Sequence, residues 1–283
     1  MRRQAGPPAQ LWAIPASLTE ASLPHGTLLA RRIPDVLARL LRQHGGIDAR
    51  WAPVVADVPE GLAYSVQVGS ADEVEPREVL NDLGGDFLLY GQIDLSAERL
   101  WFDGRLFSRD RNEVLIYLRF SGAPAALLGE LPLLAGQIGV ALGIAGGARL
   151  DAETVPPIGA GLLTHSWQAF ESFCAALDEL SGRAPEADEE ERALDHLLAA
   201  LEADPRFRLA ARLGTELVRL EEGCEGVEHR LDVADMLAAR CRDLPEIALM
   251  RAGLLDAIGR YEEARREMER ARELAKQWGD LDS

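Results

Sequence analysis

Apolar positions change their spacing along this chain, and the change divides it. In the first half, short apolar runs alternate with stretches of helical period; beyond about residue 160 only the helical period remains. Leu11-Trp12-Ala13-Ile14-Pro15 predicts a buried strand. Leu29, Ile33, Val36, Leu37, Leu40 and Leu41 then follow a helical pattern that Gly45-Gly46 stops. Pro34 falls inside it, so the helix is expected to kink there or to begin there, with proline in its first turn. Ala49 to Val55 predicts a second strand. Ser70 to Leu83 predicts a polar loop and a short helix ended by Gly84-Gly85.

Three β segments come next, at 86–94, 99–107 and 114–120, joined by connectors short enough for antiparallel hairpins. Alternation puts Leu100, Phe102 and Leu106 on one face, as it does Val114, Ile116, Leu118 and Phe120. The opposite faces carry Tyr90, Gln92, Trp101, Asp103, Arg105, Tyr117 and Arg119. Such a face is ordinarily half solvated. It is also a candidate docking surface through Tyr90, Trp101, Arg105, Tyr117 and Arg119, since Trp, Tyr and Arg are enriched at contact hot spots.

The order strand, helix, strand, short helix, meander, and then an amphipathic helix from Ala125 resembles the amino-terminal domain of the TolB translocation proteins. The segments "GGDFLLYGQI" and "RLWFDGRLFSRDRNEVLIYLRF" carry the match. The resemblance implies a small α/β sandwich-like domain with a mixed sheet, of a kind that precedes tetratricopeptide repeats in bacterial regulatory proteins. It transfers no catalytic signature. TolB proteins are exported, whereas no export signal is read here, so an envelope role is not implied.

Thr154 to Gly161 is rich in Pro and Gly and reads as a boundary. The expected organisation is therefore an α/β domain at 8–150, a linker at 151–161 and an all-α helical-hairpin array at 162–279, an α+β multidomain chain. Gly259-Arg260-Tyr261-Glu262-Glu263-Ala264, then Met268 and Ala271, resembles the tetratricopeptide consensus for a turn and second helix. Ala193, Leu197, Ala200 and Pro205 repeat that spacing upstream. The two Ala anchors are 71 residues apart (264 − 193), which is two repeats of 34 plus three. A degenerate middle unit is expected between them, with helices near 207–220 and 227–242. Three imperfect repeats are near the minimum for stability, so the array must lean on the amino-terminal domain or a dimer mate. The resemblance implies a peptide-binding groove along the first helix of each repeat, placing Arg212, Glu216 and Arg219, then Leu249 and Asp256, as candidate protein-binding residues.

Charge narrows the partner. The formal charge is −17; residues 1–155 carry 14 Arg against 19 Asp+Glu (net −5), and residues 156–283 carry 16 Lys+Arg against 28 (net −12). Nucleic-acid binding draws its affinity from neutralising phosphates, so it is not expected. Cys174, Cys224 and Cys241 are scattered and odd in number, as in a reducing compartment. Leu131 to Leu150 has no charge until Arg149, but Pro132, Gln137 and five glycines interrupt it. A buried helix running into a glycine-rich loop is expected there rather than a membrane span.

No phosphate-binding loop, dinucleotide fingerprint or nucleophile elbow is present, and the five histidines lack metal spacing. The expected function is that of a cytoplasmic, non-enzymatic adaptor, without cofactor or metal, whose helical groove binds a protein segment; a homo-oligomer is compatible with it. The alternative is a regulatory protein that senses a small molecule near the Trp101–Tyr117 face.

Overall fold

The computed structural model describes residues 8–19, 24–53, 55–58, 61–64, 69–96, 98–144, 155–181, 187–220 and 227–278. The fold is α+β, a mixed sheet with a helical carboxy-terminal part. Contacts cluster into two units, Met1–Ala160 and Gly161–Ser283.

The first unit opens with β1 (Ala9–Ala13) and β2 (Ser17–Leu18), followed by helix α1 (Pro24–His44) and β3 (Ile47–Trp51). A small hairpin, β4 (Val55–Val58) and β5 (Gly61–Tyr64), was not anticipated from the sequence. A 3-10 turn at Ala71–Glu73 and helix α2 (Pro76–Leu83) lead into β6 (Phe87–Leu95), β7 (Leu100–Ser108) and β8 (Glu113–Gly122). Helix α3 (Leu127–Ala141) follows. The sheet order is β3-β1-β6-β7-β8, with β2 also pairing with β6. β1 lies parallel to β3 and β6, because the helix between β1 and β3 carries the chain back to the same end. The short turns after β6 and β7 leave only antiparallel pairing. Gly84, at φ 75°, takes the left-handed position that ends α2.

Helices α1 and α3 pack on the sheet and on each other. Leu89, Ile93, Phe102, Leu106 and Leu118 are wholly or almost wholly buried. The helix does not start at Pro34; α1 begins ten residues earlier and runs through it. Arg32, 1% exposed, lies 4.4 Å from the Trp51 ring and pairs with Asp35.

The second face of the sheet is not simply solvated. At one end Leu88, Tyr90, Phe107, Trp12 and Ile14 meet Leu80, Val79 and Leu83 of α2 in a separate small core. Val114 belongs to this core, not to the face of Ile116 and Leu118. A register shift makes Phe107 pair with Val114 while its neighbour Leu106 pairs with Ile116, so Leu115 is extra and the alternation reverses.

The Pro/Gly stretch is fastened to the first unit rather than hanging from it. Ile158 is buried, and its N–H donates to the Pro132 carbonyl at 2.9 Å. Gly136 of α3 lets the Pro156 carbonyl approach so closely that any Cβ there would collide with it. The window Pro124–Ala141 is long and apolar enough to cross a membrane by length and composition, with mean hydropathy 1.3, and half of it is buried.

The second unit contains α4 (Trp167–Glu179), α5 (Ala187–Ala203), α6 (Arg208–Leu220), α7 (Val227–Arg240), α8 (Pro245–Ala257) and α9 (Tyr261–Gln277). Helix α4 packs on α5 and α8 on α9, while α6 touches α5, α7 and α8. Ser166 caps α4, its hydroxyl accepting from the Ala169 N–H. Phe173 and Phe207 meet edge to face at 5.0 Å and anchor α4 to the start of α6.

Candidate functional site

Two surfaces carry the candidate residues, one in each unit. In the first, cross-strand register stacks Tyr90, Arg105 and Tyr117 in one row and Gln92, Asp103 and Arg119 in the next. The predicted members differ in their surroundings. Tyr90 is only 4% exposed and sits in the α2 core, so it cannot dock a partner; burial pushes its phenol above the ordinary range. Trp101 and Arg105 are half-buried, while Tyr117 is 55% exposed and the Arg119 side chain 73%.

Charges alternate across this ledge. Arg105 Nη1 pairs with Asp72 Oδ1 at 2.5 Å, and that hydrogen bond holds the Asp72 carboxyl below the usual range. Asp103 lies between Arg105 at 3.7 Å and Arg119 at 3.6 Å, and both guanidiniums stand within 6 Å of the Tyr117 ring. Asp103 Oδ1 and Arg105 Nε are buried without a hydrogen-bond partner.

In the helical unit, Arg212 and Leu249 occupy corresponding positions 37 residues apart, as do Arg219 and Asp256 (249 − 212 and 256 − 219). Leu249 is 49% exposed, an apolar side chain facing solvent beside exposed Gly253 and Asp256. Glu216 is half-buried on α6. The Arg219 side chain lies outside the described residues. Arg212 has a structural tie: its Nε donates to Glu246 Oε1 at 3.0 Å, and Arg208 donates to the same oxygen at 2.6 and 2.8 Å. Glu246 stands in the first turn of α8, where the helix dipole favours a carboxylate.

Sequence reasoning passed over Glu246, Arg208 and Trp278. The Trp278 ring lies 5.2 Å from the Arg208 guanidinium, and its indole N–H donates to the Asp243 carbonyl, tying the end of α9 to two interhelical turns. Arg251 on α8 was also passed over; it bridges Asp235 on α7 and Glu267 on α9. The available signal was the repeat length, since Glu246 lies 34 residues after Arg212.

Laying α5 on α9 with the offset of 71 sets buried Leu197, Leu198 and Leu201 on Met268, Glu269 and Arg272. Of the five positions that α5 buries, two are charged and exposed in α9, Glu269 and Arg272, while Ala264 and Ala271 stay buried. Ala252, Gly253, Asp256, Tyr261, Met268, Glu269 and Arg272 border a cleft of about 520 Å³ there.

Among the described residues no group of three or more His, Cys, Asp or Glu side chains could hold a metal ion. Cys174 and Cys241 are buried, and burial together with nearby Glu246 pushes the Cys241 thiol up to about 12, far from a nucleophile's range.

No family model matches the chain, and no curated protein matches it. Among solved structures, the lipoprotein GNA1162 from Neisseria meningitidis is similar at 20% identity with a TM-score of 0.28, over 41% of this chain and 81% of that one. At that TM-score the likeness adds nothing to the fold described above.

Proposed function

We propose that this chain is a non-enzymatic adaptor, a TolB amino-terminal-like domain followed by a degenerate tetratricopeptide-like array whose first-helix face binds a protein segment. The observation that carries the reading is Leu249. A large apolar side chain stands half-exposed on α8, at the position that corresponds to Arg212 on α6, with exposed Gly253 and Asp256 on the same helix. A single exposed leucine is ordinary on a protein surface; what gives this one weight is its place on the helix face that the repeat resemblance assigns to a bound segment. Half-buried Glu216 lies one turn after Arg212 on α6.

Photo-crosslinking in the native host tests this. A crosslinking amino acid at Leu249 should give discrete protein adducts, and the same group at exposed Glu273 on α9 should not. Adducts at Leu249 should disappear when Asp256→Arg is added. Equal adducts from both positions, or none from Leu249 in cells that express the chain, would defeat the reading.

A second reading, small-molecule sensing at the Tyr117 ledge, is favoured by Asp103 Oδ1, which is buried without a hydrogen bond. It requires a metabolite whose stabilisation of the folded chain is lost in Tyr117→Ala.

A further inference from the structure

Strand β8 closes the sheet order, and among the described residues only β7 pairs with it. It is ten residues long and reads Glu-Val-Leu-Ile-Tyr-Leu-Arg-Phe-Ser-Gly. Six of the seven residues from Val114 to Phe120 are apolar or aromatic. Val114, Leu115 and Ile116 are half-buried and Tyr117 is exposed. An apolar edge of that length with open backbone donors and acceptors is a template for another strand. Arg119 and the bulge at Leu115 blunt it only in part.

We propose that β8 pairs with β8 of a second copy, antiparallel about a two-fold axis at Leu118, joining the two sheets into one. The strand is self-complementary in this register. Tyr117 lies opposite Arg119 of the second copy, and by symmetry Arg119 lies opposite Tyr117, giving two cation–π pairs on the ledge face. On the helix-side face Leu118, already fully buried, lies on the axis, and half-buried Ile116 falls opposite Phe120. Arg119 already stands 5.8 Å from the Tyr117 ring of its own strand, so the guanidinium reaches the right distance along that face. Shifting the axis to Arg119 would set two guanidiniums opposite each other. Shifting it to Tyr117 would set Arg119 against Leu115, the bulged residue. Of these three axes only that at Leu118 sets each arginine against a tyrosine; Leu115 then falls opposite Ser121 and Val114 opposite Gly122.

The proposal is independent of the groove reading and fails independently of it. The test uses the full chain with Cys224→Ser as background. Light scattering after size exclusion should report a dimer at micromolar concentration. Arg119→Glu, a change at an exposed side chain, should raise the dimer Kd at least about tenfold through loss of both cation–π pairs, with an unchanged circular dichroism spectrum. Register is read by mixing two single variants. Tyr117→Cys and Arg119→Cys proteins should form a mixed disulfide readily with each other and poorly with themselves. A monomer at all concentrations up to about 100 μM overturns the proposal. So does a dimer that Arg119→Glu leaves intact, or one in which the mixed disulfide forms no faster than the self-disulfides.

Discussion

The backbone N–H of Ala16 donates to the carbonyl of Ala30 at 2.8 Å, and that carbonyl is the acceptor that Pro34 leaves without its helical partner. A proline inside a helix lacks the N–H that would reach back four residues, so one carbonyl per proline must be satisfied elsewhere. Here the strand-to-helix segment supplies the donor, and the missing rung becomes a tie between α1 and the residues after β1.

That tie reverses the usual effect of removing a proline. In an exposed helix interior, Pro→Ala gains about 3 kcal/mol. In Pro34→Ala the new N–H competes with Ala16 for one carbonyl, and the buried ring leaves a void. The expected outcome is no gain and a loss of about 1–2 kcal/mol. Calorimetric unfolding checks the sign, and hydrogen exchange at Ala16 should speed up. A clear rise in Tm would show that the Ala16 bond does not compete.

What the sequence disclosed of this fold and what it withheld have physical reasons. Apolar spacing and glycine stops marked the strand near Leu11, the helix through Leu41 and the three-stranded meander, because burial on one face forces a period. The repeat offset placed helices near 207–220 and 227–242, where α6 and α7 lie. Val114 was assigned to the wrong face because a bulge adds one residue to one strand, and nothing local in Val114-Leu115-Ile116 signals it. Tyr90 looked like a surface aromatic because α2, which buries it, is near in sequence only to its strand's start. The Arg208–Glu246–Arg212 cluster joins residues 34 and 38 apart, and pattern reading within one helix cannot see it.

That cluster sets the next expectation. Arg208 is 5% exposed, and Glu246 is the carboxylate that receives both of its donors and one from Arg212. Glu246→Gln removes the carboxylate charge that both guanidiniums share but keeps an acceptor oxygen. The helical unit should lose about 1–3 kcal/mol, seen as an earlier transition in urea monitored by circular dichroism. Glu246→Asp, which keeps the charge at shorter reach, should cost less.

Gly136 provides a test whose sign decides the matter. Gly→Ala in an ordinary helix interior stabilises by about 0.5–1 kcal/mol, and Gly129→Ala in the same helix should do so because its Cβ position is open. At Gly136 the new methyl meets the Pro156 carbonyl, so Gly136→Ala should instead cost about 1–3 kcal/mol. The Ile158 amide, hydrogen-bonded to Pro132, should then exchange faster. Two equal gains in Tm would mean that residues 155–158 do not press on α3.

Cys241 gives the helical unit a pH dependence. Its thiol rises from 9.0 to about 12, by burial first and Glu246 second. A folded-state value above the unfolded one means that the unfolded chain releases its proton first as pH rises. The thiol's contribution is whole below about pH 9 and is lost from there toward pH 12. Each unit of separation is worth about 1.4 kcal/mol, so between pH 9 and 10.5 about 2 kcal/mol should disappear. Urea titrations of wild type and Cys241→Ala should converge by that amount across the interval, other titrating groups being common to both.

The exposed charges of α9 make the last prediction. Glu269 and Arg272 are exposed where, 71 residues earlier, α5 buries Leu198 and Leu201, so leucine at both should make this face adhesive. Glu269→Leu/Arg272→Leu would present, with Met268, an apolar stripe bordering the cleft between α8 and α9. Two leucines removed from water are worth about 3–6 kcal/mol before the cost of association, enough to drive head-to-head contact at micromolar concentration. Sedimentation velocity should show species larger than wild type that grow with concentration, while the circular dichroism spectrum stays the same. The single variant Arg272→Lys, which keeps the charge, should sediment as wild type does. If the double-leucine chain also sediments unchanged, the charges on α9 are not what keeps this face from associating.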